Sequence, residues 1–374
     1  MTDTKKLELS LAELTHRNSA VTVGRAAWSI VILLSIWQRN THSGKCRVAL
    51  PSFLCQSPLV AVLLAGWEPE FCDVDPETGN VSLDEWRRVI DSGVEAVLYV
   101  HLFGNVGDAA TVAELCKANS VYFIEDIAQA FGGSFDNVPC GAHGDASIVS
   151  FGHTKLIDVG SGGAVLINDE ALASEIRAFD AHYSTAESDR SVVAKQFLES
   201  FYAARRKLTT SIDEAKFSFR GLAHVYEPLV YSKWNPDTAG KIQQDLTNLN
   251  YLVEQRRYKY DLYKELIRGT GLKALNMSPG SVPWRAAFRL PGADWVLQEK
   301  ISEAVRSEGV DISNWYLPSH WLMDNPQLRP GQLDVTERIS QEMFQLWLDD
   351  GTDEATVKKS ASVLVEKLRE VGYG

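Results

Sequence analysis

The stretch that decides the fold covers residues 145–168, DASIVSFGHTKLIDVGSGGAVLIN. Two short apolar runs, 146–150 and 164–167, flank a glycine-rich connection, and runs of this kind predict buried strands. Lys155 stands in the connection, at the edge of the predicted sheet. A lysine is rarely buried without a partner or a function, and a desolvated amine is a nucleophile toward aldehydes that can form a Schiff base. An ordinary solvated loop lysine is the common alternative, so the interpretation depends on the residues around it.

Alternating strands and helices precede this stretch. An apolar helix follows Gly24, and the other predicted elements are strands at 47–50, 70–73, 94–100 and 121–125 and helices at 59–65, 82–90 and 108–118. Such alternation predicts an α/β fold with a mostly parallel sheet covered by helices on both faces.

The second half of the chain has a different texture. After a helix at 170–182, residues 185–235 are polar and are expected to form helices with long loops. A helix at 245–267 could bridge two domains. The remaining predictions are strands at 283–290 and 310–315 and helices at 294–307 and 352–370, the last with Thr352 as its N-cap. We therefore expect a large domain over residues 1–240, with a divergent helical insert at 185–240. A smaller C-terminal α+β domain over residues 241–374 is expected to begin with the bridging helix.

Charge and cysteine content narrow the class of protein. The 374 residues carry a net charge of −12 and a pI of about 5.2, which argues against nucleic acid or an anionic membrane as the main partner. The apolar run at 26–37 is too short to cross a bilayer, and the start of the chain lacks the apolar core of a signal peptide. Five widely spaced cysteines without a CxxC pair predict a cytoplasmic protein with reduced thiols and no metal site.

Several polar residues are predicted at the carboxyl edge of the parallel sheet, where ligands bind in such folds. Asp126 ends one strand and shares a face with Gln129, while Ser150 ends the strand before Lys155. The helix after Gly24 offers free backbone amides that can hold a phosphate; its first residues are Arg25 and Ala26. Each has a plainer explanation: Asp126 as a helix N-cap, Gly24 as a helix-start glycine, Ser150 as a strand-end hydroxyl. Together, however, a lysine, a carboxylate and helix amides are what pyridoxal phosphate (PLP) requires.

Four motifs between residues 21 and 169 are those of a known family. They are ALPSFLCQSPLVAVLLAGWEPEFCDVDPETGNVS, VLYVHLFGNVGD, EDIAQAFGG and SFGHTKLIDVGSGGAVL, in the family's order and spacing. In this stretch the chain resembles the PLP-dependent sugar aminotransferases of the DegT/StrS type, which have fold type I. The resemblance thins between 180 and 240 and returns weakly at 255–266 and in NWYLPSH (314–320).

The resemblance implies a role for each matching residue. Lys155 would be the Schiff-base lysine, Asp126 the partner of the pyridine nitrogen and Gln129 a donor to the ring hydroxyl. The phosphate would be held by Ser150 and by the helix start at Gly24, Arg25 and Ala26. Three further positions are candidates for contact with substrate: His153, Tyr316 and His320.

The chain departs from the family pattern in four places. Arg25 replaces a threonine of many members, Cys55 aligns with an aromatic residue that covers the pyridine ring, and GSGG (160–163) replaces GEGG. The segment that reaches into the neighbouring subunit's site is not recognisable, and YSKWNP (231–236) is the nearest text. The cofactor chemistry is barely touched by these changes, which fall mainly on the acceptor side.

By this resemblance, we expect a homodimer that transfers an amino group, with glutamate as donor, to a keto sugar carried on a nucleotide. Such reactions serve surface-polysaccharide or secondary-metabolite biosynthesis. Two alternatives stay open: a PLP enzyme acting on a ketone without a nucleotide, of the aminocyclitol type, and a PLP-binding regulator without turnover. Family members that dehydrate sugars carry a histidine in place of the lysine, so Lys155 argues against that reaction.

Overall fold

The computed structural model describes residues 1–39, 46–184, 190–324 and 327–373. The predicted insert at 185–240 begins with residues 185–189, which lie outside the described residues.

Strands and helices alternate through the first half of the chain, as predicted. The strands are β1 (Ser19–Val23), β2 (Arg47–Pro51), β3 (Glu68–Cys72), β4 (Ala96–Val100), β5 (Tyr122–Asp126), β6 (Ser134–Phe135), β7 (Val138–Pro139), β8 (Ala146–Ser150), β9 (Gly163–Ile167), β10 (Lys273–Ala274), β11 (Ala286–Arg289) and β12 (Met343–Leu346). The α-helices are α1 (Asp3–Leu14), α2 (Ala26–Gln38), α3 (Gln56–Leu64), α4 (Leu83–Asp91), α5 (Ala109–Ala118), α6 (Glu170–Tyr183), α7 (Arg190–Arg206), α8 (Ile212–Phe219), α9 (Leu222–Tyr226), α10 (Ala239–Thr247), α11 (Leu249–Leu266), α12 (Trp295–Ser307), α13 (Asp334–Glu342) and α14 (Glu354–Glu370).

The large sheet has seven strands in the order β1-β9-β8-β5-β4-β2-β3. Strands β3, β2, β4, β5 and β8 run parallel to one another, and β9 is antiparallel to both of its neighbours. Strands β4 and β9 are buried along their whole length, which explains why their sequences are continuous apolar runs. The α/β class with a mostly parallel sheet is therefore confirmed. Because β5 and β8 are parallel neighbours, their carboxyl ends bring Asp126 and Ser150 to the same edge.

A second, antiparallel sheet has the order β10-β11-β12 and packs against α11, α12 and α14. The division of the chain near residue 240 remains a prediction. The strand predicted at 310–315 is wrong, because this segment makes only an isolated bridge between Ser313 and Gln345. The third strand is instead β12, which the sequence analysis did not predict.

Two predicted helices differ from the structure. The helix expected at 245–267 is divided into α10 and α11 at Asn248, whose backbone (φ −109°, ψ 14°) is not helical. The last helix begins after Asp353, which accepts from the Thr356 amide, so Asp353 and not Thr352 is the N-cap. The Thr352 hydroxyl donates instead to Asp349 Oδ1 at 2.7 Å.

Helix α2 is apolar on nearly every side and lies in the main core against the sheet. An all-apolar helix is stable only where it is surrounded by protein or lipid. Within the part of the chain that the structure describes, no helix combines the length and the apolar character needed to cross a bilayer.

Candidate active site

Lys155 and Asp126 lie in one cluster at the carboxyl edge of the large sheet. Asp126 ends β5 and is 5% exposed. Burial raises the pKa of its carboxyl, an effect that the Ala128 amide and the Lys155 ammonium oppose. Burial likewise lowers the pKa of the Lys155 amine, while Cys55 and Asp126 oppose that change. The two groups that the sequence analysis singled out therefore interact, and the amine is held in a state closer to the reactive neutral form.

Residues from the C-terminal half hold the loop that carries Lys155. Arg256, on α11 and 3% exposed, donates from Nη2 to the Lys155 carbonyl at 2.7 Å and to the Thr154 carbonyl at 3.4 Å. Trp284 Nε1 donates to the same Thr154 carbonyl at 2.9 Å. These carbonyls stand beside a strained residue, since Thr154 has φ +70°. Sequence reasoning missed Arg256 and Trp284, because neither lies in a motif near the lysine.

Asp126 is not the N-cap of a helix. No helix begins after β5 in the described chain before α6, and Asp126 Oδ1 accepts from the Ala128 amide at 2.8 Å to close a tight turn. That turn places Gln129, whose Oε1 accepts from the Phe103 amide at 2.7 Å and whose Nε2 donates to the Tyr316 hydroxyl at 2.8 Å. The N-cap explanation is therefore wrong, and the Gln129 side chain links the Phe103 amide to the Tyr316 hydroxyl.

The start of α2 lies at the same edge of the sheet. Arg25 precedes the helix, and its side chain does not cap it. The backbone of Arg25 forms a β-bridge with Gly162, and the next residue, Gly163, pairs with Ser150 between β9 and β8. A Cβ atom at Gly24 would collide with the backbone of Ser232, so only glycine fits there. The helix-start amides and Ser150 therefore face one region.

Cys55 also lies in this cluster. It precedes α3, its thiol pKa is raised by burial, and its electrostatic neighbours are Lys155 and Asp126. Aromatic rings adjoin it. They pack at centroid distances of 5.1 to 6.0 Å in the pairs Phe53–Phe103, Phe53–Tyr316, Phe103–Tyr316 and Trp284–Tyr316.

The two candidate histidines have different surroundings. The His153 side chain is 82% exposed and its nearest acidic group is Asp158, at 3.8 Å. His320 is buried and uses both ring nitrogens within the protein, Nδ1 with Ser52 Oγ at 2.8 Å and Nε2 with Glu337 Oε1 at 3.1 Å. The contact with His320 lowers the pKa of Glu337 to about 2. Neither histidine is brought into the Lys155 cluster, whereas Tyr316 is.

One further group of polar side chains lies behind the site. His101, Glu125 and Cys140 offer ligand atoms within 4.8 Å of one another. Hydrogen bonds already account for the two stronger ligands, because His101 Nε2 donates to Glu125 Oε1 at 3.0 Å and His101 Nδ1 accepts from the Gly107 amide. We assign no metal to this group.

The residues present fit pyridoxal phosphate. Helix α2 begins with amides that no side chain caps, and the buried Arg25 Nε and Ser29 Oγ atoms next to them have no partner among the described residues. Buried polar atoms without a partner are costly, and an anion at this helix start would satisfy them. Lys155 and Asp126 lie at the same edge of the sheet. One cofactor could therefore have its aldehyde at Lys155 and its ring nitrogen at Asp126.

The chain is similar to named aminotransferases over part of its length. A dTDP-4-dehydro-2,3,6-trideoxy-D-glucose 4-aminotransferase of Saccharopolyspora spinosa is 36% identical over 135 residues, 36% of this chain and 35% of the relative. An L-glutamine:2-deoxy-scyllo-inosose aminotransferase of Streptomyces fradiae is 37% identical over 108 residues, 29% of this chain and 26% of the relative. The chain thus spans only about a quarter to a third of the length of these curated relatives.

Solved structures show the same fold over nearly the whole chain. The aminotransferase PseC of Helicobacter pylori, involved in the biosynthesis of pseudoaminic acid, superposes with a TM-score of 0.79 at 16% identity, covering 99% of this chain and 92% of that one. Residues 2–211 match the model of the DegT/DnrJ/EryC1/StrS aminotransferase family. Since that match covers more than half of the sequence, the chain belongs to the DegT/DnrJ/EryC1/StrS aminotransferase family.

Proposed function

We propose that this protein is a PLP-dependent aminotransferase that moves an amino group from an amino acid to a keto sugar carried on a nucleotide. Glutamate is the proposed amino donor. The observation that carries the proposal is the cluster of Lys155 and Asp126 beside the uncapped start of α2. Family membership and the relative that acts on a dTDP-linked sugar support it.

Pyridoxal phosphate supplies, when bound, an aldehyde that amines attack and a ring that takes up electrons. The Lys155 amine is the nucleophile toward that aldehyde, and its Nζ can take a proton from the reacting carbon of the donor and, in the second half-reaction, give one to the reacting carbon of the acceptor. Asp126 provides a fixed negative charge for a protonated ring nitrogen, while Gln129 holds Tyr316 against the site. Ser150, Gly24, Arg25 and Ala26 are proposed to bind the phosphate. Aromatic residues around Tyr316 limit the access of water.

A cyclitol ketone is a second candidate acceptor, because it presents a ring of hydroxyl groups similar to that of a keto sugar. The relative that aminates 2-deoxy-scyllo-inosose favours this second candidate.

A spectroscopic assay of the two half-reactions tests the proposal. The PLP-loaded protein is mixed with L-glutamate or L-glutamine, and loss of the visible absorbance is followed. The aminated protein is then offered nucleotide-linked keto sugars and a cyclitol ketone. We expect glutamate to bleach the absorbance and a nucleotide-linked keto sugar to restore it. Failure of every amino donor would favour a regulator without turnover, and recovery only with the cyclitol would favour the second candidate.

The position of Cys55 leads to a prediction about the acceptor half. An aromatic ring in its place would add about 0.5–1.5 kcal/mol of stacking, which is at most about tenfold in cofactor affinity. It would also be larger than the thiol beside Lys155, so it would take up room on the acceptor side. We expect Cys55→Phe to keep or slightly tighten PLP binding, to leave the glutamate half-reaction largely intact and to impair the acceptor half-reaction.

The matched variant Cys55→Ala keeps the space open and should leave both half-reactions unchanged. If Cys55→Phe slowed both halves equally, or weakened PLP binding, position 55 would not lie over the ring.

We also propose that the protein is a cytoplasmic homodimer. Apolar side chains are exposed along the helices of the insert, at Val192, Leu198, Tyr202, Ile212 and Phe217, and exposed apolar patches commonly mark interfaces. Two-fold dimers are the commonest soluble oligomers. Light scattering should give twice the 41.5 kDa chain mass, and an active monomer at assay concentration would contradict the proposal.

A further inference from the structure

Arg285 is a buried arginine immediately before β11. It is 5% exposed, and its guanidinium Cζ lies 3.2 Å from the centroid of the Trp347 ring and 4.7 Å from that of the Trp284 ring. Contact with aromatic faces stabilises the cation without using its N–H groups, which point outward in the guanidinium plane. These donors stay available for an acceptor.

No acceptor from the described chain takes them. Arg285 Nε is buried without a partner, and none of the hydrogen bonds or ion pairs among described residues includes Arg285. Two other buried arginines nearby do have partners: both Nη atoms of Arg256 donate to backbone carbonyls, although its Nε has no partner, and Arg289 pairs with Glu77 and Glu342. Burial lowers the pKa of Arg285 to about 9, so the group is still charged at neutral pH. A buried charge without an acceptor is costly unless a ligand supplies one.

The Trp284 ring connects Arg285 to the reacting amine. Lys155 Nζ lies 5.2 Å from the centroid of this ring, so Nζ and Arg285 Cζ are separated by no more than 5.2 Å plus 4.7 Å. Arg285 also acts electrostatically on Lys155 and on the Tyr316 hydroxyl. A substrate whose reacting carbon is at Lys155 and which carries an acid group several bonds away can reach Arg285 within this limit.

We propose that Arg285 binds a carboxylate of the substrate, carried either by the amino acid donor or by the keto acceptor. This inference rests on the proposed function, because amino transfer brings both molecules in turn to Lys155. A guanidinium with its edge free forms two parallel hydrogen bonds to a carboxylate, a geometry that lysine cannot reproduce.

Calorimetric titration of the PLP-loaded protein with two unreactive probes tests the inference. Glutarate has the carboxylates of the donor without its amino group, and D-glucuronate is a sugar acid without a ketone; glutaramide and D-glucose are the neutral controls. We expect the wild type to bind at least one acid and Arg285→Gln to weaken that binding by about 10- to 100-fold. Arg285→Lys should lose part of the affinity. The matched variant is Arg268→Gln, which removes a surface arginine with a 76% exposed side chain and should change nothing.

Weakening confined to glutarate assigns Arg285 to the donor, and weakening confined to D-glucuronate assigns it to the acceptor. Equal affinity of wild type and Arg285→Gln for both acids would overturn the inference, as would a wild type that binds neither. Should Arg285→Gln fail to fold, the loss measured in Arg285→Lys decides the question by the same criteria. A failure of the proposed function is distinct, since L-glutamate would then leave the visible spectrum of the wild type unchanged while the titrations still report on Arg285.

Discussion

Replacing Lys155 by alanine is expected to lower the rate of amino transfer by about 10⁴-fold or more, because one amine serves both as the nucleophile and as the proton carrier. The change removes Nζ from a site whose other parts are held independently. Arg256 and Trp284 donate hydrogen bonds to the backbone carbonyls of residues 154 and 155. These carbonyls remain in place when Lys155 is replaced by alanine. The loop and the fold should therefore persist, and PLP should bind without a covalent bond.

Absorbance and single-turnover kinetics measure this result. The wild-type protein should be yellow and should lose its colour with borohydride, whereas Lys155→Ala should release its cofactor on dialysis. Lys241→Ala is the matched control, because Lys241 donates to the Asp158 carbonyl of the same loop from an exposed position. Full activity of Lys155→Ala would show that the site assignment is wrong.

Asp126→Asn should lower the rate by about 10²–10³-fold, a loss typical of removing one preorganised electrostatic contact. The amide keeps the shape of the carboxyl and can still accept from the Ala128 amide, so PLP should still bind. What is lost is the negative charge that keeps the ring nitrogen protonated.

The same variant separates chemistry from stability. Burial raises the pKa of Asp126, so its charged form disfavours the folded state more and more as the pH rises through that pKa. The cofactor-free Asp126→Asn protein should therefore be at least as stable as the wild type at neutral pH, as measured by thermal unfolding.

The neighbouring Glu125→Gln variant should behave in the opposite way. Although burial favours its neutral form, hydrogen bonds from His101 and two backbone amides lower the pKa of Glu125, so its removal should reduce stability more than rate.

A lower melting temperature for Asp126→Asn with an unchanged rate would contradict the role proposed for this carboxylate.

The sequence by itself determined the elements whose signals are local. The mostly apolar segments at 121–125 and 146–150 predict buried strands, which the structure has at Tyr122–Asp126 and Ala146–Ser150, and these predictions placed Asp126 and Lys155 at one edge of the sheet. The helices predicted at 82–90, 108–118 and 294–307 are confirmed, and in the structure the first residue of each predicted range (Ser82, Asp108, Asp294) is the side-chain N-cap. The break at Asn248 lies inside a stretch with helical periodicity, and periodicity alone predicts one continuous helix there.

Only the tertiary structure decided which distant side chains complete the site. Arg256 lies 101 residues from the Lys155 carbonyl that it binds, and Trp284 lies 130 residues from the Thr154 carbonyl. His320 stands in a motif that favours substrate contact, yet its ring nitrogens bind Ser52 and Glu337. Arg256 meets backbone carbonyls after folding, whereas Arg285 meets the rings of Trp284 and Trp347. A local pattern indicates which face of an element is apolar, but the partner of a buried polar group is set by chain segments that meet only in the folded protein, because each such group must find an acceptor or a donor there.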